Sequence, residues 1–258
     1  MPEGDTVYLT ARNLDRALAG QTLLECDLRV PAFATVDLSG ETVRGVVPRG
    51  KHLLMRIGET TIHSHLKMEG AWHLYRPGTR WRRPAWQARA VLSTSGWVAV
   101  GFQLGVLHVL PTKEEESVVG QLGPDPLAAD WDEGEALARM LADPARPVGL
   151  ALLDQRVIAG LGNVYRNELC FLRGTLPTRP VGEVADPLKL IDLGQRLIFA
   201  NRERTPRTTT GRLRGDTLWV HGRDGRPCLR CGTTIRQGSL GDTELQQRNT
   251  FYCPSCQS

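Results

Sequence analysis

Four of the six cysteines lie in two C-x-x-C pairs near the end of the sequence, Cys228-Leu-Arg-Cys231 and Cys253-Pro-Ser-Cys256, with twenty-one residues between the pairs. A C-x-x-C turn presents two thiolates to one side of a metal ion, and two such turns complete a tetrahedral site. The spacing points to a small β-hairpin module, residues 217–258, stapled by one structural zinc ion. The spacer is slightly longer than a zinc ribbon usually has, which predicts an extended hairpin. Two disulfides are the other reading of the same thiols, and they would need an oxidising compartment. By itself such a module is compatible with DNA, RNA or protein as partner. Cys26 and Cys170 stand alone in apolar surroundings and read as buried, reduced thiols.

Charge is unevenly spread. Residues 201–258 hold ten Arg and five acidic residues, a net of +5, while the first 200 hold 22 basic and 23 acidic residues, a net of −1. A basic end on a neutral body suits a phosphate-rich partner, though a solvated tail reads the same way. No apolar run reaches the roughly 18 residues of a membrane helix. The start lacks a basic stretch followed by an apolar core, so no signal peptide is expected and the cytoplasm is the default location.

Val7, Ala11, Leu14 and Leu18 recur at helical spacing, with Asp5 or Thr6 as cap and Gly20 as stop. Strand patterns follow at 22–30, 52–57, 61–68, 88–93, 97–102 and 106–110, and suggest a sandwich or barrel. Residues 120–130 (GQLGPDPLAAD) carry two prolines and read as a linker. Helical patterns then cover 132–141, 147–153, 164–172 and 187–201, the last opened by the cap and first-turn pair Asp186-Pro187. Residues 202–216 are polar and aperiodic and read as a mobile loop. The expected domains are 1–118, a linker over 119–130, a helical domain over 131–216 and the finger over 217–258.

Two further motifs bear on chemistry. Gly160-Leu-Gly-Asn163 lets the chain turn tightly between helices, and the N–H groups at the start of the second helix form an anion site. A well-capped helical hairpin without a ligand has the same signature. Met1-Pro2-Glu3-Gly4 would, after loss of Met1, expose a secondary amine beside a carboxylic acid. A free α-amine has a pKa of about 8 and is partly neutral and nucleophilic at working pH.

Together MPEG at 1–4, RGKHL at 49–53, SHLKMEG at 64–70, LGPDPL at 122–127, GLGNVYRNE at 160–168 and the cysteine pairs resemble the formamidopyrimidine-DNA glycosylase and endonuclease VIII family from end to end. The resemblance implies an α+β fold. An N-terminal β-sandwich flanked by helices would precede a C-terminal helix-two-turn-helix domain with a zinc-finger β-hairpin. It implies a monomeric glycosylase and lyase acting on damaged DNA, with no membrane partner and duplex, bubble or single-stranded preference left open. Pro2 would attack C1′ of the nucleotide sugar, Glu3 would act as acid and base, and Lys51 would hold a phosphate and assist. His65, Asn163, His221 and Arg248 correspond to backbone contacts, and Met68 to the side chain that fills the gap left by the extruded base. Cys228, Cys231, Cys253 and Cys256 would bind zinc.

Asp5 and Thr6 stand where the family often has Pro-Glu, which leaves base preference open. Gly101-Phe-Gln-Leu-Gly105 replaces the Arg-rich stretch of the guanine-oxidation branch. That favours the endonuclease VIII branch and oxidised pyrimidines, and the MPEGDTV start and the extended finger resemble the actinobacterial endonuclease VIII type. Oxidised-purine specificity and a non-catalytic damage-binding protein are the alternatives.

Overall fold

The computed structural model describes residues 2–258. Met1, whose removal the reading of Pro2 requires, lies outside the described residues. The chain divides between Gln121 and Leu122 into two compact units. Among the described residues no helix is long and apolar enough to cross a membrane.

The first unit opens with α1 (Gly4–Leu18), whose Val7, Ala11, Leu14 and Leu18 are buried along one face. The Glu3 carbonyl accepts from the Val7 N–H at 3.0 Å, so the helix starts earlier than Asp5 or Thr6 would cap it. Gly20, at φ +76°, follows the end of the helix as expected. Eight strands come next: β1 (Glu25–Leu28), β2 (Val43–Arg49), β3 (His52–Ile57), β4 (Thr60–His65), β5 (Ala71–Tyr75), β6 (Ala88–Ser93), β7 (Val98–Phe102) and β8 (Val106–Pro111). They form two four-stranded antiparallel sheets, ordered β1-β6-β7-β5 and β2-β3-β4-β8. Alternation directs Leu53, Met55 and Ile57 of β3 and Ala90 and Leu92 of β6 into a common core with α1. The opposite face of the first sheet carries a smaller cluster of Tyr75, Val91, Val100 and Phe102. Trp81, from the β5–β6 connection, covers it.

β2 and β5 have no counterpart in the sequence pattern. Gly45 and Pro48 interrupt β2 with residues that normally punctuate strands, and β5 is only five residues long. β1 is shorter than expected, because Thr22 makes only an isolated bridge with Thr42. The unit ends in the short α2 (Glu116–Val119), preceded by Glu115. The Glu115 carboxylate takes two hydrogen bonds from Arg56 at 2.9 and 2.7 Å and one from the Thr61 hydroxyl at 2.6 Å.

The second unit contains α3 (Glu133–Leu141), α4 (Val148–Ala151), α5 (Asn163–Leu172), α6 (Pro187–Asn201) and a hairpin of β9 (Arg236–Leu240) and β10 (Arg248–Tyr252). The Asp132 and Asp186 side chains cap α3 and α6, accepting from Glu135 N–H at 2.9 Å and Lys189 N–H at 3.1 Å. Tyr165, Leu169 and Cys170 of α5 pack with Leu190, Ile191 and Ile198 of α6. Burial pushes the Cys170 thiol up to about 12, so it stays protonated and inert.

Within the stretch read as a linker, residues 122–130 are packed on the second unit. Leu122 and Asp125 are buried, Leu127 packs on the helical core, and Gly123 N–H donates to Gln155 O at 2.9 Å. The stretch expected as mobile, 202–216, is tied down at its centre. Asn201 and Thr208 exchange two hydrogen bonds of 2.8 Å, and Thr209 N–H donates to Thr217 O at 2.9 Å. Polar side chains paired with backbone do here what an apolar stripe does elsewhere, and they leave no periodicity to read.

Candidate functional site

Pro2 is half-buried, and Glu3, which directly precedes α1, has no exposed surface. A carboxylic acid is seldom fully buried without a task or a partner. α1 packs against β2 and β3, which are joined by the two-residue turn Gly50-Lys51. Gly50 is at φ +57°, a conformation that favours glycine. That turn fixes the backbone of half-buried Lys51.

His65 ends β4. The Lys67 N–H donates to its Nδ1 at 2.9 Å, so a neutral ring carries its proton on Nε2 and offers that N–H as a donor. Burial, reinforced by the Lys67 and Lys51 charges, pushes His65 down to about 4, which keeps the ring neutral. Three more histidines share this sheet. His52 pairs in register with His65, and His63 pairs with His108. His52 Nδ1 and His63 Nε2 are 2.8 Å apart with the rings stacked, and burial lowers both to about 4. The sequence reading passed over His52, His63 and His108. The signal available was the His-x-His alternation of 63 and 65, but it needed the register of β3 and β8 to gain meaning.

Beyond His65 the chain makes a sharp turn. Lys67 and Gln103 are the two non-glycine residues at positive φ among the described residues, +52° and +46°. Such conformations cost of order 1 kcal/mol or more and cluster at functional sites. Lys67 directly precedes Met68, which is 63% exposed although apolar, and Gln103 lies in the β7–β8 connection. Gly105 makes the Lys67 turn possible, since a Cβ there would lie 2.7 Å from Lys67 Cβ.

In the second unit Asn163 occupies the first position of α5, after the cap residue Gly162. Its Nδ2 donates to Asn249 O at 3.0 Å, and Arg166 Nη2 donates to the same oxygen at 2.9 Å. Asn167 receives Phe251 N–H at 3.0 Å and donates to His221 Nδ1 at 3.0 Å. His221 is thus in the same state as His65, with Nδ1 accepting and Nε2–H left as donor; burial, then the Arg166 charge, lowers it to about 4. Glu168, with no exposed surface, accepts from Trp219 N–H at 2.7 Å, Val220 N–H at 2.9 Å, His221 N–H at 2.9 Å and the Thr209 hydroxyl. One face of α5 therefore positions the hairpin and His221. Arg166, Asn167 and Glu168 lie in the motif that drew attention to Asn163, but their roles depend on partners more than forty residues away. Arg248 begins β10 and is exposed, its guanidinium donating, among the described residues, only to the neighbouring Gln247 carbonyl at 2.9 Å.

The four cysteines meet at one point. Their Sγ atoms all lie within 4.8 Å of one another, with Cys231–Cys253 at 3.5 Å and Cys228–Cys256 at 4.0 Å. Sulfurs around a tetrahedral zinc at 2.3 Å stand about 3.8 Å apart, so the set fits such an ion. The separations are far beyond a disulfide bond of about 2.05 Å.

Comparison with known proteins agrees with this layout. Residues 1–103 match the formamidopyrimidine-DNA glycosylase N-terminal domain, and residues 122–189 match the formamidopyrimidine-DNA glycosylase H2TH domain. Over its full length the chain is 51% identical to the DNA-(apurinic or apyrimidinic site) lyase Nei2 of Mycolicibacterium smegmatis, covering 99% of that protein. It is 50% identical to endonuclease 8 2 of Mycobacterium tuberculosis, covering 100% of both chains. The Lactococcus lactis Fpg bound to abasic-site DNA superposes with a TM-score of 0.81 at 22% identity, over 99% of both chains. The chain belongs to the formamidopyrimidine-DNA glycosylase family, among its endonuclease 8 relatives.

Proposed function

We propose that this protein is a bifunctional DNA glycosylase and abasic-site lyase of base excision repair, directed at oxidised pyrimidines. One observation carries the reading beyond family membership: a wholly buried carboxylic acid, Glu3, directly follows Pro2 at the head of α1. With Met1 removed, the Pro2 amine attacks C1′ of the damaged nucleotide, displaces the base and gives up its proton; the C1′–O4′ bond then breaks, the ring oxygen taking a proton, which leaves an iminium on the opened sugar. Glu3 moves the protons that base departure and elimination require. Lys51 and the Nε2–H donors of His65 and His221 hold phosphates, with Asn163 at the head of α5 and Arg248 at the hairpin. Met68 enters the stack in place of the extruded base. β- and then δ-elimination expel the two flanking phosphates. The family relationship, the names of the endonuclease 8 relatives and Gly101-Phe-Gln-Leu-Gly105 in place of an Arg-rich stretch support pyrimidine preference.

One zinc ion per chain, held by Cys228, Cys231, Cys253 and Cys256, serves only to fold the finger. The protein acts as a monomer on nucleoid DNA in the cytoplasm, on duplex, bubble or single-stranded lesions.

Borohydride trapping on abasic DNA tests the central step. Protein with a free Pro2 amine should become covalently linked, and protein carrying extra N-terminal residues should bind DNA without linking. Glu3→Gln should stop base excision yet retain some cleavage at a ready-made abasic site, which already offers an aldehyde. Full trapping with a blocked N-terminus would refute Pro2 as nucleophile and point to Lys51.

A further inference from the structure

The connection between β5 and β6 has an unusual composition. From Arg76 to Gln87 it reads RPGTRWRRPAWQ, with four Arg and no acidic residue. This charge disappears in the near-neutral total of the first 200 residues. The segment is anchored with care. Trp81 packs edge-on against Phe102 at 5.9 Å, and Arg82 N–H donates to the Tyr75 hydroxyl at 3.0 Å. Arg29 donates to Ala85 O at 3.2 Å and Arg89 to Trp86 O at 3.1 Å, so two guanidinium groups pin the backbone at residues 85 and 86. Arg83 ties the segment to the Met68 turn, donating to Glu69 O at 3.0 Å and Gln103 Oε1 at 3.2 Å.

What this scaffold holds outward is specific. Trp86 is 72% exposed, whereas Trp72 is buried in the core and Trp81 is half-buried. A tryptophan held in water on a pinned backbone is the informative kind of exposure. Six and four residues before it in the same connection, Arg80 and Arg82 are exposed, and their guanidinium groups make no hydrogen bond or ion pair among the described residues. Unpaired guanidinium groups on the same short connection as an exposed indole match a polyanion with unstacked bases, because phosphates pair with the former and a base stacks on the latter. A duplex offers phosphates but no base faces.

We propose that the β5–β6 connection is a second DNA contact, holding a single-stranded stretch with one base stacked on Trp86 and its phosphates on Arg80 and Arg82. The inference rests on the reading of the protein as a DNA-repair enzyme and narrows its substrate to lesions with unpaired DNA nearby. Through Arg83 the patch is continuous with the turn that presents Met68, so one strand can engage both.

The test uses the full chain with a free Pro2 amine and a short labelled oligothymidylate, titrated across a salt series. Trp86→Ala should weaken binding by roughly five- to 150-fold, the range for one stacked base, and Trp86→Phe should restore most of it. Arg80→Ser with Arg82→Ser should flatten the salt dependence by about 1.4, at roughly 0.7 per single-strand phosphate. In all three variants, trapping on a fully paired abasic duplex should match the unsubstituted protein. Unchanged oligothymidylate binding in the alanine or double-serine variant would overturn the proposal. So would equal losses on oligothymidylate and duplex, which would make the patch part of the lesion site. Tighter binding of oligouridylate than of oligothymidylate would overturn the assignment to DNA. Failure of the unsubstituted protein to trap an abasic site would instead refute the enzymatic reading, and the binding results would still decide this one.

Discussion

Glu168→Gln isolates the clasp that seats His221 and the finger on α5. The carboxylate accepts four hydrogens: Val220 and His221 N–H on Oε1, Trp219 N–H and the Thr209 hydroxyl on Oε2. A glutamine keeps one oxygen. Placed to serve Val220 and His221, it turns its NH2 toward Trp219 N–H. Thr209 can rotate and accept from that NH2, but the Trp219 N–H cannot. One donor left without a partner costs about 1–3 kcal/mol, and two charge-assisted bonds that become neutral lose about 1 kcal/mol each, so the clasp weakens by about 3–5 kcal/mol. At 1.4 kcal/mol per decade this is roughly two to three and a half orders of magnitude in local opening. Hydrogen exchange read on a peptide covering 217–223 should accelerate by that factor, with zinc content and exchange in the first unit unchanged. Duplex affinity should fall because His221 loses its fixed position. Exchange at 219–221 as slow as in the unsubstituted protein would show that α5 holds the finger by packing alone and would refute the reasoning.

Removal of zinc by a chelator, or Cys228→Ser, should unfold residues 217–258 while the sandwich stays folded, since metal binding contributes on the order of 10 kcal/mol to such modules; circular dichroism and DNA titration together check it. Arg248→Ala should leave zinc content and melting temperature unchanged and flatten the salt dependence of duplex binding by about 0.9, one phosphate contact. The fold keeps His52, His63 and His65 neutral down to about 4, whereas the unfolded chain protonates them near 6.5. The unfolded state therefore binds more protons between these values, and stability, complete above 6.5, is lost as pH falls toward 4. Melting temperature followed over that window should drop, with a shallower drop in His63→Gln, and a flat profile would contradict the burial of the cluster.

What could be read directly was what is local. The cysteine turns, the Asp186-Pro187 cap and the α1 stripe each declare themselves within a few residues. Glu168 could not be read as a clasp, because its donors lie 41 to 53 residues away. The histidine cluster needed the register of three strands. Residues 202–216 look mobile for want of apolar periodicity, yet Asn201 and Thr208 hold them through backbone groups. The Arg-rich connection was lost to averaging, since charge counted over 200 residues conceals four arginines within twelve. The family motifs pointed to the residues proposed for chemistry, but the tautomers of His65 and His221 follow only from who donates to Nδ1.

The saturation of α5 by the hairpin has a consequence for biosynthesis. Asn167 and its donor Phe251 are 84 residues apart, and Asn163 and Asn249 are 86 apart. At about 5–20 residues per second, a ribosome takes roughly 4–17 s to make that stretch. Until then Asn163, Arg166 and Asn167 belong to a helix whose partners do not yet exist, and water must satisfy them. The nascent helical unit is therefore held open on one side by its own polar residues. It closes only when the cysteine turns have been made and can gather their metal, so metal supply and the ordering of α5 are joined in one late event.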